Sequence, residues 1–167
     1  MGLLSVFSKF FSSSKQPESA PEESAPEVDD EELFLPKNAT ILIVDDSKTH
    51  VAACKKWLTE DGYDTLAAFD GREGINSARK EQPDLILMDI VMPNVNGFQA
   101  TRYLKRQADT RHIPIILISG EEQSSGKIWA KKLGASSFLV KPLKKQTLLR
   151  VTAKVLEHYA NLSTGHS

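Results

Sequence analysis

Four apolar stretches of this chain run into residues that can do chemistry. Thr40–Val44 leads to Asp45-Asp46, Asp84–Met88 to Asp89, Ile113–Ile118 to Ser119, and Ser136–Val140 to Lys141. Taken singly, each has a bland explanation as a solvated loop residue or, for Asp46 or Ser47, a helix cap. Taken together they are three carboxylates, a hydroxyl and an ammonium. Clustered carboxylates repel one another unless a cation neutralises them, and hard oxygen ligands suit Mg²⁺, which keeps several waters and takes few carboxylates. An ammonium and a small hydroxyl donor opposite such a cation suit phosphoryl oxygens. The remaining role is that of nucleophile, and a carboxylate can take up a phosphoryl group as an acyl phosphate. Phosphoryl transfer needs chiefly positioning and charge neutralisation, and this set supplies both.

For these residues to meet, the elements carrying them must lie side by side. Thr40–Val44 is a short, largely β-branched run and predicts a strand. Ser47 to about Glu60 predicts a helix with Val51, Cys54, Trp57 and Leu58 on one stripe, ended by Asp61-Gly62. Tyr63–Ala68 reads as a second strand, and Gly71–Lys80 as a helix with Ile75 and Ala78 inward. Asp84–Met88 is a third strand, Gly97 to about Gln107 a helix, and Ile113–Ile118 a fourth strand. Glu122–Leu133 is a helix that stops at Gly134, a suitable C-terminal cap. Ser136–Val140 is a fifth strand and Lys144 to about Tyr159 a last helix. The expected fold is α/β, (βα)₅, a doubly wound five-stranded parallel sheet. Its strands are solid apolar runs, as they must be when helices cover both faces. Ligands of such sheets bind outside the carboxyl ends of the strands. That puts Asp45, Asp46, Asp89, Ser119 and Lys141 at one edge, although they are spread over nearly a hundred positions.

The rest of the chain bounds the reading. Its 167 residues are 40% hydrophobic and 26% charged, enough for one domain with a real core. No apolar run approaches the ~18–20 residues that span a bilayer. The single Cys54 excludes an intramolecular disulfide framework and a Cys-rich metal site, and reads as a small core hydrophobe. A net charge of −1 argues against a general nucleic-acid binder. That total hides an asymmetry: residues 1–36 carry two lysines against eight carboxylates, and residues 37–167 carry 19 basic against 14 acidic residues. Residues 12–36, in which Gln16–Glu32 holds three prolines and the run Asp29-Asp30-Glu31-Glu32, predict a disordered acidic linker. Residues 1–11 predict an amphipathic segment: at helical spacing Leu3, Leu4, Phe7, Phe10 and Phe11 share one 120° sector, opposite Ser5, Ser8 and Lys9. It lacks the basic n-region and cleavage site of a secretory signal, and Val6 stands where a myristoylation signal needs Ser or Thr. The expectation is that residues 2–11 fold only when bound to a membrane surface or a partner groove. The domain itself is expected over residues 37–160, with a flexible tail at 161–167.

The stretches Ile41-Leu-Ile-Val-Asp45-Asp46-Ser47 and Asp84-Leu-Ile-Leu-Met-Asp89-Ile-Val-Met-Pro93, with Ser119 and Lys141-Pro142, resemble the receiver domain of two-component response regulators. The resemblance covers about Ala39 to Tyr159. It implies the flavodoxin-like, CheY-like strand order 2-1-3-4-5. It implies that Asp89 is the phosphoacceptor, taking phosphate from a histidine kinase. Mg²⁺ would be bound by Asp46, Asp89 and the backbone carbonyl of Val91, with Asp45 acting through a coordinated water. Ser119 and Lys141 would bind the phosphoryl group, Ser119 and Phe138 would form the switch, and the Lys141-Pro142 bond would be cis. Two positions depart from the pattern. Asn96 replaces a frequent Asp but can still cap a helix, and Phe138 has no hydroxyl, so any switch there is apolar packing. A narrower resemblance, in Asp89–Arg102 and Lys127–Ala135, is to single-domain regulators of the type IV pilus chemosensory system, which act in twitching motility.

The implied protein is a phosphoacceptor that catalyses only its own phosphorylation and dephosphorylation. It is expected to signal by phosphorylation-dependent contact with a downstream protein effector, through a face bearing Trp129, Phe138 and Val140, and without DNA. It is expected to be a monomer or weak dimer in the bacterial cytoplasm, recruited to a membrane or polar complex by its N-terminal segment. The alternative is a phosphate sink or a non-switching scaffold receiver localised by that segment. Other classes fit less well. An aspartyl-phosphate phosphatase would carry a second Asp where Val91 stands, and a nucleotide-binding fold would want a Gly-rich loop in place of Asp45-Asp46-Ser47-Lys48. Only eight residues follow Tyr159, so no output domain is expected after it. Trp129 reads either as a packing residue or as an aromatic anchor. His50, His112, His158 and His166 show no ligand spacing and read as surface residues, and Lys144-Lys145 as a solvated helix start.

Overall fold

Runs of four apolar residues bury both faces of a strand only if helices cover both sides, and the chain does this. The structure is a computed structural model that describes residues 38–120 and 124–165. The expectations for residues 1–11 and 12–36, and His166, lie outside the described residues. The order is β1 (Thr40–Val44), α1 (Lys48–Glu60), β2 (Asp64–Ala68), α2 (Gly71–Glu81), β3 (Leu85–Asp89), α3 (Gly97–Arg106), β4 (Ile115–Ser119), α4 (Ser124–Lys132), β5 (Ser137–Val140) and α5 (Lys145–Thr164). All pairings are parallel and the sheet runs β2-β1-β3-β4-β5, as expected.

Alternate strand residues divide the core in two. Ile41, Ile43, Leu85, Leu87, Ile116 and Ile118 pack with Val51, Cys54 and Leu58 of α1 and with Leu148 and Leu156 of α5. Leu42, Val44, Ile86, Met88, Ile115 and Leu117 pack with Ala78, Ala100, Leu104 and Ala130 of the other three helices. At about 25 cal/mol per Å² of apolar surface removed from water, this two-sided burial is the main term holding the sheet.

Boundaries differ from the expected ones in ways that have physical causes. Pro114 has no N–H to give to a ladder, and β4 begins at Ile115 instead of Ile113. At their other ends β3 and β4 each run one residue further, because Asp89 stays in register with Ile118 and Ser119 with Val140. The last helix continues past Tyr159 to Thr164, so the tail expected from residue 161 is helical for its first four positions. Ser163 Oγ donates to the Tyr159 carbonyl and Thr164 Oγ1 to that of Ala160, and these bonds fasten the final turn. The fourth helix is described from Ser124 to Lys132; residues 121–123, including Glu122, lie outside the described residues.

Candidate functional site

The first residue past β1 is Asp45. Its N–H donates to the Ala68 carbonyl at 3.1 Å, which prolongs the β1–β2 ladder and fixes the backbone. Its Oδ1 accepts the Ser47 N–H at 2.8 Å. Ser47 then caps α1, its side chain accepting the His50 N–H. On β3, the strand itself carries Asp89. Behind it Asn96 and Gln99 close a reciprocal capping box that starts α3, so Asn96 does cap, as expected. Gly97 lies so close that a Cβ there would collide with the Asp89 carbonyl oxygen. From β5, the Lys141 N–H donates to the Ser119 carbonyl at 2.7 Å, and the Lys141–Pro142 peptide is cis.

These placements bring together the side chains singled out in the sequence. Asp45, Asp46 and Asp89 each offer an oxygen, all within 4.8 Å of one another, and they are the carboxylate cluster that could hold a metal ion among the described residues. Asp45 and Asp89 are buried and Asp46 is exposed. Lys141 Nζ bridges the two buried carboxylates, 3.0 Å from Asp45 Oδ2 and 3.1 Å from Asp89 Oδ1. A lone ion pair would lower the acid and raise the base, but Asp89 is held above its ordinary value. Burial pushes it up and the Asp45 charge adds to this; the hydrogen bond and charge of Lys141 oppose, and Asp46 contributes least. For Lys141, burial works against the charge, but hydrogen bonds and charges from Asp45 and Asp89 outweigh it and raise the ammonium. Three carboxylates against one ammonium leave the site short of positive charge. That deficit, with oxygen donors on one rim, fits a divalent cation.

Residues 41–153 match the response regulator receiver domain family. The chain belongs to that family. It is 46% identical over 118 residues to Protein PilH of Pseudomonas aeruginosa, covering 71% of this chain and 98% of that protein. With Response regulator PleD of Caulobacter vibrioides it shares 39% identity over 106 residues, 64% of this chain and 23% of that protein. The solved structure of chemotaxis protein CheY4 of Vibrio cholerae superposes with a TM-score of 0.67 at 33% identity, covering 70% of this chain and 98% of that one. A receiver is a signalling phosphoacceptor module and not a conventional enzyme, and the Asp45–Asp46–Asp89 pocket is typical of a receiver Mg²⁺ site. No described helix is long and apolar enough to cross a membrane.

The remaining candidates scatter more widely. Val91, two residues beyond Asp89, is 73% exposed. The partly buried Phe138 packs under α4, where its ring atoms would lie 3.3 and 3.5 Å from a Cβ at Gly126. Val140, opposite Ser119, is also only partly exposed. Trp129 is 56% exposed, with Lys132 Nζ 5.2 Å from its ring centroid. It borders a groove of about 270 Å³ with Leu133 and the α3 residues Phe98, Gln99 and Arg102. Cys54 is buried, and burial pushes its thiol up to about 11, so it is the core hydrophobe expected. Lys145 is more than a solvated helix start: it pairs with Glu60 at 2.6 Å and ties α5 to the end of α1.

One site residue was missed. His50, expected as a plain surface residue, keeps a half-exposed ring but sets Nδ1 2.9 Å from Lys141 Nζ. A sequence signal existed: three residues past an N-cap, a side chain sits in the first turn of α1, beside the strand ends.

Proposed function

We propose that Asp89 is the phosphoacceptor of a phosphorelay. A carboxylate oxygen of Asp89 bonds to phosphorus as the bond from phosphorus to the donor breaks, and the electron pair leaves on the donor. The donor is the phosphohistidine of a histidine kinase, or a small acyl phosphate. When bound, Mg²⁺ supplies charge neutralisation for the incoming phosphoryl oxygens. Asp46, Asp89 and the Val91 carbonyl would hold it, with Asp45 acting through a water. Lys141 and Ser119 receive the phosphoryl oxygens. The observation that carries this reading is the Lys141 ammonium set between two buried carboxylates inside a three-carboxylate cluster.

Output is proposed to be a protein contact, controlled by movement of Ser119 and repacking of Phe138 as a pre-existing equilibrium shifts. The resemblance of Asp89–Arg102 to pilus regulators and the identity with PilH support a place in type IV pilus or chemotaxis-type motility control in the bacterial cytoplasm. Residues 2–11 are proposed to recruit the protein to a membrane surface or partner groove. The test of the site is Mg²⁺ titration with a small phosphodonor. Wild type should bind Mg²⁺ and acquire label, Asp46→Ala should lose Mg²⁺ affinity, and Asp89→Asn should lose the label. Label that forms without Mg²⁺, or at full yield in Asp46→Ala, would overturn the reading.

A further inference from the structure

The Lys141 ammonium has three N–H bonds and no lone pair. Each N–H has an acceptor: Asp45 Oδ2 at 3.0 Å, Asp89 Oδ1 at 3.1 Å and His50 Nδ1 at 2.9 Å. The shortest of the three is the one that phosphoryl transfer has not yet used. Nδ1 must accept here, because the ammonium can only donate, and the neutral ring therefore carries its proton on Nε2. The same Nδ1 lies 3.4 Å from Asp45 Oδ2, a contact that is an ion pair only for a charged ring with protons on both nitrogens. Such a ring could not accept from Lys141, and the shorter contact selects the accepting form.

Phosphorylation changes only one of the three acceptors. When an Asp89 oxygen bonds to phosphorus, the carboxylate charge is lost and the Lys141 N–H that faced it must turn to a phosphoryl oxygen. Where the ammonium sits during that turn is decided by its two other bonds. Asp45 holds one of them and is shared with the metal rim. His50 holds the other and has no second task in the site.

We infer that His50 is a positioning residue for phosphoryl transfer: its Nδ1 anchors the Lys141 ammonium while the third partner of that ammonium changes from the Asp89 carboxylate to the phosphoryl group. The inference rests on Asp89 being the phosphoacceptor. His50 acts through Lys141 and is not itself a catalytic residue. Its ring is half-exposed on the first turn of α1, outside both core clusters, so replacing it leaves the fold intact.

The test uses the full chain with Mg²⁺ and acetyl phosphate as donor. Losing one hydrogen bond at a half-exposed ring, where water can take the vacated place, should slow His50→Ala about five- to tenfold. His50→Leu, which fills space but accepts nothing, should be equally slow. His50→Asn should recover most of the rate, because its Oδ1 falls close to where Nδ1 was. Affinity for beryllofluoride, a stable stand-in for the phosphoryl group, should fall in step with the rates while the melting temperature stays put. In a Lys141→Met background, His50→Ala should cost nothing further, since the anchor has lost its load. Wild-type rates in both His50→Ala and His50→Leu would overturn the inference, as would a full additional loss in the Lys141→Met background. A wild-type chain that takes no label would instead overturn the phosphoacceptor reading, and this inference with it.

Discussion

Replacing Asp89 with asparagine should stabilise the metal-free protein, although it destroys the proposed phosphorylation site. The shape is kept and one charge goes. At an effective dielectric constant of about 20, repulsion from Asp45 at or inside 4.8 Å costs Asp89 about 3.5 kcal/mol or more, and Lys141 at 3.1 Å returns about 5 kcal/mol. Asp46 is exposed, and its repulsion is screened to a fraction of that. The pairwise terms nearly cancel and burial decides, which is why the carboxyl sits above its ordinary value of 3.8. The sign comes from proton binding. A folded state that holds the Asp89 proton more tightly than the unfolded chain gains stability at low pH. That gain is lost as pH rises from the unfolded value through the raised folded one, so at neutral pH the charge is a liability. Removing it should raise Tm, by roughly 3–6 °C for each 1 kcal/mol gained in a domain of this size. Mg²⁺ should reverse the order, because a ligand at a hundred times its Kd stabilises the protein that binds it by about 2.7 kcal/mol. Thermal unfolding of both chains in EDTA and across a Mg²⁺ titration reads this directly. In EDTA Asp89→Asn should melt higher, and with saturating Mg²⁺ wild type should overtake it. An Asp89→Asn protein that melts lower in EDTA, or gains as much as wild type from Mg²⁺, would refute the reasoning.

Gly97→Ala drives a Cβ into the Asp89 carbonyl oxygen, and urea denaturation should show a loss of about 1–3 kcal/mol, with slower phosphorylation. Phe138→Ala leaves a void under Gly126 and should cost about 2 kcal/mol, below the ~3–5 kcal/mol of a fully buried Phe, again by urea denaturation. Beryllofluoride with Mg²⁺ should change hydrogen exchange across residues 119–145, and unchanged exchange there would remove the proposed switch. Deleting residues 1–36 should leave the phosphorylation rate unaltered but redistribute the protein in the cell; an unchanged distribution would exclude a targeting role.

Local and periodic features were legible in the amino-acid chain alone. Ile41-Leu-Ile-Val44 and Leu85-Ile-Leu-Met88 carry no polar residue, and only a sheet covered on both faces buries such runs, which gave the layers and the parallel pairing. A parallel sheet gathers the residues just past its strands, so Asp45, Asp46, Asp89 and Lys141 could be placed at one site before any distance was known. Strand ends were less legible, because Asp89 and Ser119 look like loop residues until their neighbours across the ladder, Ile118 and Val140, are seen. The end of α5 depends on hydroxyls of Ser163 and Thr164 bonding back to carbonyls, which composition reads as tail. His50 escaped because its partner is 91 positions away, and nothing in histidine spacing announces a bond to a lysine. The proposed partner face has the same difficulty. Trp129, Phe138 and Val140 are near in sequence, but Trp129 borders the α3 groove while Phe138 lies under α4.

The central claim is that a phosphoryl group forms on one named side chain. Borohydride reduction of the freshly phosphorylated chain, coupled to peptide mapping, converts an acyl phosphate into a marked residue and shows where it was. The account predicts a single Mg²⁺-dependent mark on Asp89, absent from Asp89→Asn. A mark on Asp45, Asp46 or any other residue of the wild-type chain, or none at all under conditions that saturate Mg²⁺ and donor, would contradict it.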